Sequence, residues 1–180
     1  HWAGHLLSDD QLANAASLYS LCRAIDDLAD EAVTPSQRAA AEQQLQALHQ
    51  ALAQGQPPAE PVWQVYEQAH ELLAEDPVAL QALQDLITTV QQDLKPVHVA
   101  DHAELLQYCY GVAGTVGVMM SCLLGAEPRK QALPHAIDLG IAMQLPNIAR
   151  DVLEDAQLGR VYLPSDGAAG TLTPGALVEG

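Results

Sequence analysis

The chain has 180 residues, of which 49% are hydrophobic and 17% charged. That is enough apolar matter for a sizeable core and too little charge for a disordered acidic segment. Acidic residues outnumber basic ones 23 to 7, a net charge of −16, which repels phosphate backbones and anionic lipid and excludes nucleic acid as a main partner. With two Trp, five Tyr and no Phe, the core must be built from Leu, Ala, Val and Ile, a mixture that favours helix over a β-sandwich.

In chain order the pattern is helix after helix. Ser8 or Asp9 caps a first helix to about Glu31, with Leu12, Ala15, Ala16, Tyr19, Cys22 and Ile25 recurring at three- and four-residue steps. Thr34-Pro35 opens a second helix to about Gln54, and the proline-rich stretch Gly55 to Pro61 is a loop. A third helix covers Val62 to Ala74. Asp76-Pro77 opens a fourth that ends near Leu94, before Pro96. Asp101 caps a long, apolar fifth helix to about Leu124, stopped by Gly125. A sixth, opened by Pro128 or Leu133, reaches about Asp155, and the sequence from Gly159 to Gly180 is irregular. No strand-period segment of any length is present. The reading is an all-α, single partial domain over 1–180: a helical core of about 8–156, an irregular tail of 157–180, and antiparallel helices joined by short loops. Both ends look cut, since the chain opens on His1 and closes on a Gly-rich tail.

Two segments carry the chemistry. In Arg23-Ala24-Ile25-Asp26-Asp27-Leu28-Ala29-Asp30-Glu31, Asp26 and Asp30 stand four apart on one helical face. Their mutual repulsion costs a few tenths of a kcal/mol, which a hard dication relieves. A solvated helix end is the plain alternative for this segment. In Gln144 to Asp155, Asp151 and Asp155 repeat the spacing, and Gln144 and Asn147 continue the polar stripe backwards. Leu139, Ile141, Met143, Leu145, Ile148, Val152 and Leu153 surround that stripe, so this helix is expected to be buried with its polar edge on an internal cavity. The two Asp-x-x-x-Asp helices lie 125 residues apart, each with an arginine close before it, Arg23 and Arg150. Face to face, they would hold several Mg²⁺ ions, which would bind a diphosphate and stabilise its departure.

A third segment, Tyr108 to Met120, carries Gly111, Gly114 and Gly117 at three-residue intervals. Three interior glycines cost up to about 3 kcal/mol against alanine. Close helix packing is the commoner use of such a stripe; room for a long apolar substrate is the functional one. It is no dinucleotide fingerprint, because the spacing differs and no strand precedes it.

These segments together resemble the squalene/phytoene synthase family, which condenses two prenyl diphosphates head to head. The resemblance is carried by Tyr19 to Glu31, by Tyr108-Cys109-Tyr110-Gly111-Val112-Ala113-Gly114-Thr115-Val116-Gly117, by Leu139 to Asp155, and by Gly159-Arg160-Val161-Tyr162-Leu163-Pro164. It covers Leu6 to Pro164, and its wording is most similar to the bacterial phytoene-forming members. It implies an isoprenoid-synthase-type helical bundle around a central cavity, truncated at both ends. It implies metal-binding roles for Asp26, Asp30, Asn147, Asp151 and Asp155, with the four aspartates and Tyr108 catalytic. Arg23, Gln144, Asn147, Arg150 and Tyr162 would hold substrate or diphosphate, and Gly114 and Val118 would line the prenyl path. The implied cofactor is Mg²⁺, with Mn²⁺ as its substitute, and no nicotinamide for phytoene formation. The implied reaction joins two geranylgeranyl diphosphates through a cyclopropyl diphosphate to phytoene. Condensation of farnesyl diphosphate and a non-catalytic assembly factor of the same fold are the alternatives.

Three departures from the family pattern stand out. A Ser-x-x-Phe-type segment and the helices usual beyond Pro164 lie outside the sequence, so the 180 residues alone are expected to be inactive or unstable. Pro146 stands inside the second aspartate helix and is expected to kink it near Ala142. The other features read blandly. His98 and His102 flank a helix start in a solvated loop, and Asp93 is either a cap or a cavity residue. Cys22, Cys109 and Cys122 have no metal-ligand spacing and read as buried thiols of a reducing compartment. The most apolar run, Val112 to Leu124, is too short to cross a bilayer. The expected location is cytoplasmic, with loose association at the inner membrane face prompted by the hydrophobic product.

Overall fold

Helix starts along the chain are set by local caps. In a computed structural model, which describes residues 7–164, α1 (Asp9–Asp30) opens on a capping box. The Gln11 amide donates to Ser8 Oγ at 3.2 Å and the Ser8 amide donates to Gln11 Oε1 at 3.0 Å. Thr34 and Gln37 repeat the device for α2 (Pro35–Gln54), which ends at Gly55 with φ +64°. α3 (Trp63–Leu73) follows, and Asp76 then accepts from the amides of Val78 and Ala79 to start α4 (Pro77–Asp93). Asp101 accepts from the Glu104 amide at 2.9 Å to start α5 (His102–Cys109). A π-helical turn, Tyr110–Gly114, leads into α6 (Thr115–Leu123). α7 (Arg129–Arg150) and α8 (Val152–Gln157) complete the helices.

The main core lies between α1, α2, α3, α4 and α6, on fully buried Leu18, Leu21, Ile25, Leu45, Leu83 and Ile87. A smaller cluster of Val99, Leu105, Cys109, Ile148 and Tyr162 packs beneath the other end of α7. The buried stripe of α1 is Leu18, Leu21, Cys22, Ile25 and Ala29. It is rotated from the expected one: Tyr19 is 67% exposed and Leu12 is 48% exposed, because α1 is gripped from the side that meets α2, α3 and α6.

The structure corrects the sequence reading at several further points. The fifth helix is not uniformly α-helical; the π turn interrupts it at Gly111 and Gly114. The sixth is two helices: α7 continues through Ala142 and Pro146 and ends only at Asp151 (φ −99°, ψ 13°). The break leaves the ladder intact, since the Asp151 amide donates to Asn147 O and the Asp155 amide to Asp151 O, each at 2.9 Å. Asn147, Asp151 and Asp155 therefore still follow one another at one-turn intervals. α7 is also largely open: Ile148 is its buried residue, while Leu139 and Met143 are 62% and 65% exposed. In place of an irregular segment after Gly159, β2 (Arg160–Val161) pairs in parallel with β1 (Val97–His98), Val97 opposite Arg160. The rest of the expected irregular tail, 165–180, lies outside the described residues.

The glycines settle into close packing. A Cβ on Gly117 would meet Ala136 O at 2.2 Å, one on Gly140 would meet Ala113 O at 2.3 Å, and one on Gly111 would meet Thr89 Oγ1 at 2.2 Å. Backbone contact between α7 and the π–α6 segment, and the Thr89 side chain of α4 set against Gly111, offset the helix propensity these glycines forgo. Gly114 is buried against the Tyr110 ring and Ile137, and Val118 is 5% exposed in the main core. The structure thus sets both in the packing rather than on an open wall. The run His102–Leu123 is long and apolar enough to cross a membrane, with a mean hydropathy of 1.2. It is the central helical run of the bundle, packed against α4 and α7.

Candidate active site

A polar cleft of about 210 Å³ opens where the C-terminal ends of α1, α4, α5 and α7 meet α8 and β2. α1 contributes Asp26 and Asp30, α4 contributes Asp93, α5 contributes Tyr108, and α7 contributes Gln144 and Asn147; Asp151, Asp155, Arg160 and Tyr162 close it. The two Asp-x-x-x-Asp segments thus share one cavity. An apolar groove of about 500 Å³ lies beside it between α6 and α7, walled by Val116, Met120, Leu124, Leu139 and Met143. Val112, Gln144 and Asn147 line both spaces, so the acidic cleft and the apolar groove adjoin. The Asn147 amide donates to Gln144 Oε1 at 3.4 Å across that junction.

The cleft is electrostatically costly. Burial pushes the Asp26 carboxyl up to about 6; Asp30, Asp93 and Asp27 add to the shift, and Arg23 opposes it. Burial likewise pushes Asp93 up to about 6 against the pull of Arg160 and two phenol hydrogen bonds. Asp155 is raised by the same cause. Asp151 moves the other way, because Arg150 binds both of its oxygens at 2.7 and 2.6 Å. Among the described residues no group of three or more His, Cys, Asp or Glu side chains is arranged to enclose one ion. The donor set, carboxylates and the amide oxygens of Gln144 and Asn147 spread around a polar cleft, fits hard cations that keep one or two protein oxygens each and take water and phosphate for the rest.

The predicted arginines stand outside the cleft. Arg23 pairs with Asp27 at 2.6 Å, with its side chain 51% exposed, and Arg150 is held by Asp151 with its side chain 70% exposed. The cation inside is Arg160, whose side chain is 16% exposed. It donates to Asp30 Oδ1 at 3.1 Å and to the Asp93 carbonyl at 3.4 Å. Sequence reasoning did not select it, although it stands in the Gly159-Arg160-Val161-Tyr162 segment. The left-handed turn at Gly159 (φ +80°) and the β1–β2 pairing carry it back over α1 and α4. Asp93, which the sequence offers as either a cap or a cavity residue, lines the site and meets Tyr162 across 69 residues.

The squalene/phytoene synthase family profile matches residues 1–180. The chain belongs to this family. It is 36% identical over 176 residues to "Phytoene synthase, chloroplastic" of Daucus carota, covering 92% of this chain and 42% of that protein. It is 57% identical over 74 residues to "Phytoene synthase" of Thermus thermophilus, covering 41% of this chain and 25% of that one. A crystal structure of a dehydrosqualene synthase in complex with ligand superposes with a TM-score of 0.71 at 30% identity, over 99% of this chain and 65% of the other. The chain spans less than half the length of these phytoene synthases. The helical bundle is the family's isoprenoid-synthase fold, and the two aspartate segments of the family resemblance are the ones that meet in the cleft.

Proposed function

We propose that the full-length protein condenses two geranylgeranyl diphosphates head to head, through a cyclopropyl diphosphate, to phytoene. The observation that carries this reading is the shared wall of Val112, Gln144 and Asn147, where the acidic cleft adjoins the apolar groove. Such a site suits a molecule with a polyanionic head and a long hydrocarbon tail. Asp26, Asp30, Asn147, Asp151 and Asp155 would hold Mg²⁺, or Mn²⁺ in its place. Bound there, the metal supplies the positive charge that neutralises a departing diphosphate. Arg160 adds fixed charge at the same end. Tyr108 and Tyr162 line the cleft as a stacked pair, and their electron-rich aromatic groups would stabilise a passing allylic cation. The groove wall, mostly Val, Met, Leu, Ala and Gly, would shield that cation from water. The names of the curated relatives support the longer substrate. The solved neighbour's name supports a second reading, the same chemistry on farnesyl diphosphate to a C30 product. No step to phytoene needs a nicotinamide.

The test is incubation of the full-length protein with Mg²⁺ and either geranylgeranyl or farnesyl diphosphate, without nicotinamide, with the hydrocarbon identified by mass spectrometry. Phytoene from the longer substrate is the expected result. A C30 product would move the substrate and keep the mechanism. No product from a folded protein would overturn both readings in favour of a non-catalytic relative.

A further inference from the structure

Asp93 is a half-buried carboxylate of the cleft that the proposed chemistry leaves without a task. It closes α4, and its two oxygens face the two cleft tyrosines. Tyr108 Oη lies 3.1 Å from Asp93 Oδ2, Tyr162 Oη lies 3.4 Å from Oδ1, and the two phenol oxygens are 2.9 Å apart. The rings stack with centroids 4.3 Å apart and planes at 26°. Each phenol has one proton to donate, and an ionised carboxylate has none. Three contacts therefore share two protons. Either both phenols donate to Asp93, or one phenol donates to the other, which donates to Asp93. Both arrangements consume the two protons inside the triangle and leave phenol lone pairs, not protons, toward the rest of the cleft. Behind the triangle, Arg160 ties the Asp93 carbonyl to Asp30 on α1.

We propose that Asp93 is a positioning residue: by accepting from Tyr108 and Tyr162 it fixes both phenols, stacked and with their lone pairs outward, on the wall that faces the reacting substrate. The proposal rests on the functional reading above, and its test separates the two. In the full-length protein, Asp93→Asn keeps the shape but replaces one acceptor with a donor, so one phenol must turn. We expect kcat to fall by about 10- to 100-fold, the scale on which misplaced groups cost rate, with KM changed by less than about threefold. In the Tyr108→Phe background the same change should cost far less than it does alone, because Asp93 acts through that hydroxyl. Multiplicative losses, or an unchanged kcat, would overturn the role.

A second readout needs no turnover. The stacked tyrosine pair gives a near-ultraviolet circular dichroism signal, identified as the part lost in Tyr108→Phe. Asp93→Asn and Asp93→Leu should each lose much of it while the far-ultraviolet helix signal stays constant. A retained tyrosine signal overturns the proposal whatever the enzyme makes. Loss of the helix signal in both variants would make Asp93 a folding residue and overturn it as well. A wild-type protein that yields no hydrocarbon while the tyrosine signal still depends on Asp93 would sink the functional reading alone.

Discussion

Asp26 is kept ionised in the cleft only at a cost. Its folded-state pKa, about 6, lies above its ordinary value of 3.8. Below about pH 4 both folded and unfolded chains hold the proton, and no stability is lost to this group. As pH rises from about 4 to about 6 the unfolded chain releases its proton first, so stability falls, and it stays at the lower level above that. A shift of this size is worth on the order of 3 kcal/mol, and Asp93 acts in the same direction and window. Metal-free protein should therefore melt at a lower temperature at pH 7 than at pH 5. Asp26→Asn should raise the melting temperature at pH 7 by a few degrees and flatten that slope while abolishing turnover, as site residues that trade stability for function do. A melting temperature that rises between pH 5 and 7 would contradict this assignment. A different balance holds at Gly117. Alanine there gains about 1 kcal/mol of helix propensity, but its Cβ would stand 2.2 Å from the carbonyl oxygen of Ala136. Overpacking costs about 1–3 kcal/mol, and a backbone atom cannot step aside as a side chain can. Gly117→Ala should lower the denaturant midpoint, and Gly140→Ala, facing Ala113 O at 2.3 Å, should do the same.

At the scale of the element, α7 and its junction with α8 decide how the second pair of aspartates is presented. α7 carries Pro134 and Pro146 in its interior without losing its helical course. Pro146 is exposed, so replacing it removes no core contact and restores an amide donor for the Ala142 carbonyl. An interior proline costs about 3 kcal/mol in a helix free of compensation. Pro146→Ala is expected to stabilise the protein by at least about 1 kcal/mol in equilibrium denaturation. An unchanged midpoint would show that the local backbone has fully absorbed the proline. The π turn does comparable work on the facing wall. It lies between Tyr108, which faces Asp93, and Val116, which lines the groove, and such turns recur at functional sites because they shift the register of the residues on either side.

At the scale of the whole molecule, a net charge of −16 repels a diphosphate at long range. Attraction has to arise locally, from cations gathered by the cleft. On the proposed reading, Mg²⁺ and inorganic pyrophosphate given together should raise the melting temperature of the full-length protein by more than the sum of their separate effects. At a hundred times the dissociation constant the ligand term is about 2.7 kcal/mol. Additive shifts, or a synergy that survives Asp30→Ala, would argue against a cleft that binds the two jointly. Groove and cleft also depend on different parts of the chain. Leu139 and Met143 stand exposed on the groove rim, whereas the cleft draws on every helix end from α1 to α8 except those of α2, α3 and α6.

Helix starts, the helical class and the two aspartate pairs are written in the sequence because each depends on neighbours within a turn or two. A Ser8–Gln11 or Thr34–Gln37 box is complete in four residues, and the one-turn spacing of Asp26 and Asp30 follows from helical geometry alone. Family membership was legible for the same reason, through the wording of four short segments. What only the tertiary structure decided are the features that depend on distant partners. Arg160 reaches Asp30 across 130 residues, and Asp93 meets Tyr162 across 69. Arg23 and Arg150 turn to carboxylates beside them instead of into the cleft. The buried stripe of α1, the exposure of α7 and the choice of the glycines for packing are likewise set by which helices lie against which. A residue's spacing along the chain states which face of a helix it occupies; only the neighbouring helix determines whether that face meets water, a backbone or a substrate.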